Sequence, residues 1–278
     1  MQFGSGVAVV TGAGSGIGRG LARKAASLGM KVVIADVDEP GLRETTALLR
    51  ASGAEVLERR TDVAKNEEVE GLAEAAFKTF GSVTLLFNNA GVLVDGKSWD
   101  RSLDDWRWSF DVNIMGVIHG IRAFVPRMVA GGKAGIIVNT ASVGGLAAAP
   151  FLGPYTASKF AVVGLTEGLQ HELAALHPQL RAACLCPGEV ATQIWESERI
   201  RPTARGAKVP FTTEAETKFR DRVAGNVAAG MDPAQVADIV FDALAAGKFW
   251  LFPHPDKVKE RTMRRQQSLM RDEAPLFP

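Results

Sequence analysis

Six stretches of this chain are apolar almost without interruption: VAVVTG (7–12), KVVIAD (31–36), LLFNNAG (85–91), GIIVNTAS (135–142), AACLCPG (182–188) and KFWLFP (248–253). A strand with one wet face alternates polar and apolar residues. A strand that does not alternate has to be covered on both faces, as in a parallel sheet sandwiched by helices. Amphipathic segments separate these runs, long enough for the crossover that joins two parallel strands. Such crossovers are right-handed, so the pattern predicts an α/β fold with one doubly wound, mostly parallel sheet and helices on both faces. A seventh stretch, AEVLERRTDV (54–63), is more mixed and is expected near a sheet edge.

Local signals place several helices. Ser102 in SLDD is an N-cap with Asp105 in the capping-box position. Asp232 caps a helix whose first residue is Pro233. LDDWRWSFDVNIMGVIHGIRAFVPRM (103–128) reads as one amphipathic, aromatic-rich helix. The rhythm breaks over residues 193–230, expected to be a long irregular insertion and a lid. Residues 256–278, rich in Lys and Arg, read as a solvated helical tail, so residues 1–255 form the expected domain.

A length of 278 residues with 46% hydrophobic side chains allows a large core without a disulfide or metal staple. A net charge of +1 gives no general reason to expect nucleic acid or an anionic membrane as partner. Cys184 and Cys186 stand two apart on one strand and are read as small core residues in a reducing cytoplasm. The first residues show no signal-peptide pattern, and no apolar run is long enough to span a bilayer. The four histidines share no metal-ligand spacing and are read as structural or solvent-facing.

The first strand ends in TGAGSGIG (11–18), which opens a helix. Glycines at a strand-to-helix turn let a pyrophosphate approach the backbone, where the helix N-terminus offers free N–H groups. This context makes Gly12, Ser15, Gly16, Ile17 and Gly18 candidate cofactor contacts in a Rossmann-type domain. No Gly-Lys-Ser/Thr follows, which disfavours a nucleoside triphosphatase. Asp36 ends the second strand, where a carboxylate can accept both ribose hydroxyls of an adenosine and would repel a 2′-phosphate. Val37 follows it instead of an arginine, so NAD is the expected cofactor. Asp62 with Val63, and Asn89, Ala90 and Gly91, end two further strands; they either meet the adenine and brace the sheet or serve as turn residues.

Tyr155, the only tyrosine in the chain, stands four residues before Lys159, so on a helix the two share a face. A free phenol has a pKa near ~10, and lowering it by ~3 units takes about 4 kcal/mol. A cation ~4 Å away supplies about that much at an effective dielectric of ~20. Lysine, together with the positive ring of an oxidised nicotinamide, is therefore sufficient in scale to make the phenol a base. Ser142, at the end of strand 135–142, can donate to a substrate oxygen.

TGAGSGIG, NNAG, Asn113, Ser142 and YTASK stand in the order and approximate spacing of the short-chain dehydrogenase/reductase family, and PGEVAT (187–192) resembles its Pro-Gly-x-x-x-Thr segment. The resemblance implies that Tyr155 is the general acid/base and that Ser142 orients the substrate oxygen. Lys159 would bind the nicotinamide ribose and lower the tyrosine pKa, and Asn113 would hold a water linking Lys159 to solvent. Pro187, Gly188, Val190 and Thr192 would lie along the nicotinamide side. It also implies a homodimer or homotetramer packed through the helix at 103–128.

The expected function is hydride transfer between NAD and a secondary alcohol or its ketone, with no nucleic-acid or membrane partner. Leu93, Val94, Gly144, Leu146, Phe151 and Trp195 form the expected substrate wall. That lining is apolar, which points to a hydrophobic or aromatic substrate. Two alternatives stay open: an epimerase or dehydratase of nucleotide sugars, and a nucleotide-sensing or scaffold protein without turnover.

Overall fold

The structure, a computed structural model, describes residues 3–275. Strands β1 (Val7–Thr11), β2 (Lys31–Asp36), β3 (Val56–Arg60), β4 (Leu85–Asn88), β5 (Gly135–Thr140), β6 (Leu180–Leu185) and β7 (Trp250–Leu251) form one sheet. Their order is β3-β2-β1-β4-β5-β6-β7, and every pairing is parallel. Helices α1 (Gly16–Ser27), α2 (Glu39–Ala51), α3 (Asn66–Phe80), α4 (Leu103–Phe110), α5 (Gly116–Gly131), α6 (Gly153–Leu176), α7 (Glu214–Ala228), α8 (Pro233–Ala245) and α9 (Pro255–Met270) complete the chain.

The strands are apolar because both faces are covered. Along β1, Ala8 and Val10 pack with Leu21 of α1 and Val240 and Phe241 of α8. The alternate residues Val7 and Val9 pack on the other face with Leu72 of α3 and Phe124 of α5. The more polar β3 is an edge strand, as its composition predicts. Chain order reverses between β1 and β4, so the carboxyl ends of these neighbours part and leave a crevice there.

The helix starts lie where the caps put them. Ser102 Oγ accepts from Asp105 N (3.1 Å), and Asp105 Oδ2 accepts from Ser102 N (3.1 Å). Asp232 Oδ1 accepts from Ala234 N (2.6 Å), with Pro233 opening α8. Two expectations need correction. The stretch 103–128 is not one α-helix: a π turn, Asp111–Met115, separates α4 from α5. Nor is 193–230 irregular, since it holds two short 3₁₀ turns and α7, which starts at a Thr213–Glu216 capping box.

This insertion is anchored to the domain. The Arg201 guanidinium lies 2.8 Å from the Asp105 carboxylate, the two side chains being 5% and 0% exposed. It also stands 5.1 Å above the Trp108 ring. Arg101 donates to the Val209 carbonyl (2.7 Å), and Leu93 N donates to Ser197 Oγ (3.0 Å). The tail is helical over α9 and mostly exposed. Cys184 and Cys186 are buried with their sulfurs 3.7 Å apart.

Candidate active site

A continuous cleft runs over the carboxyl ends of the central strands, from Asp36 and Val37 past the glycine turn to Ser142, Tyr155 and Lys159. Its first part is a backbone cradle. Gly12 has φ +67°, and Gly16 has φ +51° with Thr192 packed over it, 2.8 Å from where a Cβ would stand. At Gly18 a Cβ would lie 2.1 Å from the Gly12 carbonyl oxygen, so the turn closes only around glycine. Ser15 caps α1 without spending its side chain on the helix. The first amides of α1, Gly16, Ile17 and Gly18, therefore border the cleft as a ready anion site.

Asp36 sits at the rim of this cradle. Its Oδ2 accepts from Gly14 N (2.8 Å) and its Oδ1 from Asp38 N (2.9 Å). Burial pushes its carboxyl above the usual value, while these two amides pull it down. Each oxygen keeps a lone pair for a further donor. Asp62 and Val63 also border the cleft; Asp62 Oδ1 accepts from Ala64 N (3.0 Å) and the Val63 carbonyl from His119 Nδ1 (2.8 Å). Asn89 ties the strand ends together: its Nδ2 donates to the Thr11 carbonyl (3.0 Å) and its Oδ1 accepts from Thr140 Oγ1 (3.3 Å). Its neighbours Ala90 and Gly91 border the cleft beside it. A dinucleotide fits this donor set: free amides for phosphates at one point, a carboxylate for hydroxyls at the next.

The second part gathers the polar side chains. The Tyr155 hydroxyl is hydrogen-bonded to Ser142, whose Oγ also accepts from Gly144 N (3.0 Å). Lys159 Nζ donates to the Thr140 carbonyl (2.8 Å) and lies 5.8 Å from the Tyr155 ring centre. Burial lowers the Lys159 pKa to about 8 and pushes the Tyr155 phenol up, while the bond to Ser142 works to lower it. Burial is the largest influence on the phenol, while the Lys159 ammonium donates to the Thr140 carbonyl.

Asn113 is fully buried in the π turn. The wide turn aims its amide at the backbone of Val92: Oδ1 accepts from Val92 N (2.8 Å), and Nδ2 donates to Val92 O (2.9 Å) and Ser158 Oγ (3.0 Å). Asn113 Oδ1 and Lys159 Nζ flank Gly91, standing 3.3 and 3.4 Å from where its Cβ would be.

The expected apolar wall divides. Leu93, Phe151 and Trp195 gather with Leu152, Phe219 and the Tyr155 ring in one cluster. Gly144 lies against that ring, 3.4 Å from Tyr155 Cε1 to where a Cβ would be. Val94 packs elsewhere, with Val92 and Trp108, and Leu146 packs beside Val162 and Cys186. Pro187, Gly188, Val190 and Thr192 border the cleft after β6.

The sequence reading missed two residues that the fold brings here. Arg199 borders the cleft and reaches across it to Asp38 (2.6 Å). His254 Nδ1 accepts from Gly188 N (3.1 Å). Both partners are distant in sequence, and no local motif marks them.

Comparison with known proteins agrees with this geometry. Residues 6–202 match the family model described as short chain dehydrogenase. A short-chain dehydrogenase/reductase from Burkholderia phymatum, solved in complex with NAD, is 44% identical and superposes with a TM-score of 0.96 over 100% of this chain and 99% of that one. An actinorhodin polyketide ketoreductase solved with NADPH is 31% identical, with a TM-score of 0.74 over 90% of this chain and 96% of that one. A CLA biosynthesis dehydrogenase/reductase of Lactiplantibacillus plantarum is 34% identical over 90% of this chain and 88% of its own length. With the parallel sheet, the glycine cradle and the Ser142–Tyr155–Lys159 cluster in place, the chain belongs to the short-chain dehydrogenase/reductase family of oxidoreductases.

Proposed function

We propose that the protein is an NAD(H)-dependent oxidoreductase that interconverts a hydrophobic or aromatic secondary alcohol and its ketone. The observation that carries this reading is the pairing of Tyr155 with Ser142, beside Lys159, in the cleft that begins at the glycine cradle, with the Tyr155 ring packed against the apolar cluster of Leu93, Phe151 and Trp195. Bound nicotinamide supplies the hydride acceptor in one direction and the donor in the other. Ser142 donates to the substrate oxygen and orients it. Tyr155 takes the hydroxyl proton as the carbinol carbon gives up its hydride, and returns it in the reverse direction. Lys159 stabilises the phenolate, and Asn113, which stands with Lys159 beside Gly91, would hold a water that links Lys159 to solvent. The preference for NAD rests on Asp36, whose carboxylate repels a 2′-phosphate at the cradle rim.

The domain comprises residues 1–255 with 193–230 as substrate lid, and residues 256–278 form the tail. Leu103, at the start of α4, and Met115, in the π turn that holds Asn113, are exposed and fit a homo-oligomeric contact. Among the described residues no helix is long and apolar enough to cross a membrane. The test is a panel of secondary alcohols supplied with NAD⁺, followed by NADH absorbance. Turnover of apolar alcohols is expected, and Y155F is expected to lose at least ~10³-fold in kcat while binding NADH nearly as well as the unmutated protein. Unchanged turnover in Y155F removes the mechanism, and silence across the panel favours a sensor.

A further inference from the structure

The loop that follows β6 is braced at three residues by the C-terminal segment. Cys186 N donates to the Leu251 carbonyl (3.0 Å). Gly188 N donates to His254 Nδ1 (3.1 Å). Glu189 is ion-paired with Lys257. The imidazole also fills the space in front of Gly188, its Cγ and Nδ1 both 3.1 Å from where a Cβ would be. The Gly188 backbone is thus held by a hydrogen bond and by a ring packed flush against it. Pro187, Gly188 and Thr192 border the same cleft as Tyr155 and Lys159.

We infer that His254 is a positioning residue for dinucleotide binding: its neutral ring, accepting at Nδ1, holds the 187–192 loop in the shape that meets the nicotinamide half of the cofactor. This rests on the proposed function. An accepting Nδ1 requires the proton on Nε2, so protonation of the ring turns the acceptor into a donor facing the Gly188 N–H. The groups acting on the ring pull in both directions: burial opposes the proton most, Glu189 favours it through its carboxylate and a backbone hydrogen bond, and Lys257 opposes it. His254 therefore stays neutral to a lower pH than an ordinary histidine. The brace is intact at neutral pH and is lost as pH falls through that lowered value.

Two substitutions separate the ring's packing from its hydrogen bond. H254F keeps a ring against Gly188 and removes the acceptor. H254N keeps an acceptor oxygen near the Nδ1 position and cannot titrate. NADH binding to the full-length protein is measured by fluorescence from pH 5 to 8, with thermal unfolding recorded alongside. The unmutated protein is expected to bind NADH at neutral pH and to weaken on acidification. H254F should raise Kd about tenfold at neutral pH, the cost of one unpaired backbone N–H, with its remaining acid dependence flattened. H254N should bind within about threefold of the unmutated protein at neutral pH, the residual of a kept hydrogen bond, and lose less on acidification. Equal Kd values for the unmutated protein and H254F overturn the inference, as does an acid-side loss that persists in H254N. An H254F defect that H254N does not rescue also overturns it, by making the ring's packing the cause. If the unmutated protein binds no dinucleotide at any pH, the proposed function fails first.

Discussion

At the residue scale, the site works by leaving specific atoms unspent. Asp36 accepts one backbone N–H on each oxygen and retains capacity on both. The same carboxylate is thereby a brace for the glycine turn and a discriminator at its rim. D36A should lower the preference for NAD over NADP, read as the ratio of kcat/KM values, by about ten- to a hundredfold, the scale of one or two charged hydrogen bonds. A higher KM for both cofactors is expected besides, because Gly14 N loses its partner, and this shared effect cancels in the ratio. A ratio that does not move would take Asp36 out of the discrimination. Tyr155 shows the opposite economy: a phenol beside a lysine, yet pushed up by burial in the protein alone. In the proposed mechanism the positive charge of the oxidised cofactor would complete its acidity.

At the scale of elements, the strands were readable because burial on both faces leaves a plain apolar signature. β3, the strand of more mixed composition, is an edge strand. The capped helices α4 and α8 were equally legible, since Ser102, Asp105, Asp232 and Pro233 act within one turn. The π turn at 111–115 was not, because widening one turn changes no composition and no spacing that a helical pattern would register. α7 was missed for another reason: it buries little beyond Glu216, Phe219 and Val227, so its apolar stripe is thin within a charged stretch. His254 and Arg199 meet partners 66 and 161 residues away, and only the fold supplies that information. The insertion's anchor can be tested at this scale. R201M leaves the fully buried Asp105 carboxylate without its guanidinium and should cost about 3 kcal/mol in urea denaturation. An unchanged midpoint would mean that the insertion is held by its other contacts.

At the scale of the molecule, one sheet gathers distant segments around one crevice. The glycine turn comes from the first strand, Asn113 and Ser142 from the middle of the chain, and His254 from its last fifth. Residues of the insertion, among them Ile194, Ser197 and Ile200, border the crevice, and its Arg199 is ion-paired with Asp38. The chain also places its single tyrosine at the centre of this arrangement. That economy has an optical consequence. In a near-ultraviolet difference spectrum recorded against alkaline pH, tryptophans stay silent and each tyrosinate absorbs, so here the whole signal comes from one atom. With no cofactor added, the step should fall above pH ~10, the ordinary value for a phenol. With NAD⁺ added, it should move toward neutrality. A step that ignores NAD⁺ would mean that the nicotinamide charge never reaches the Tyr155 oxygen.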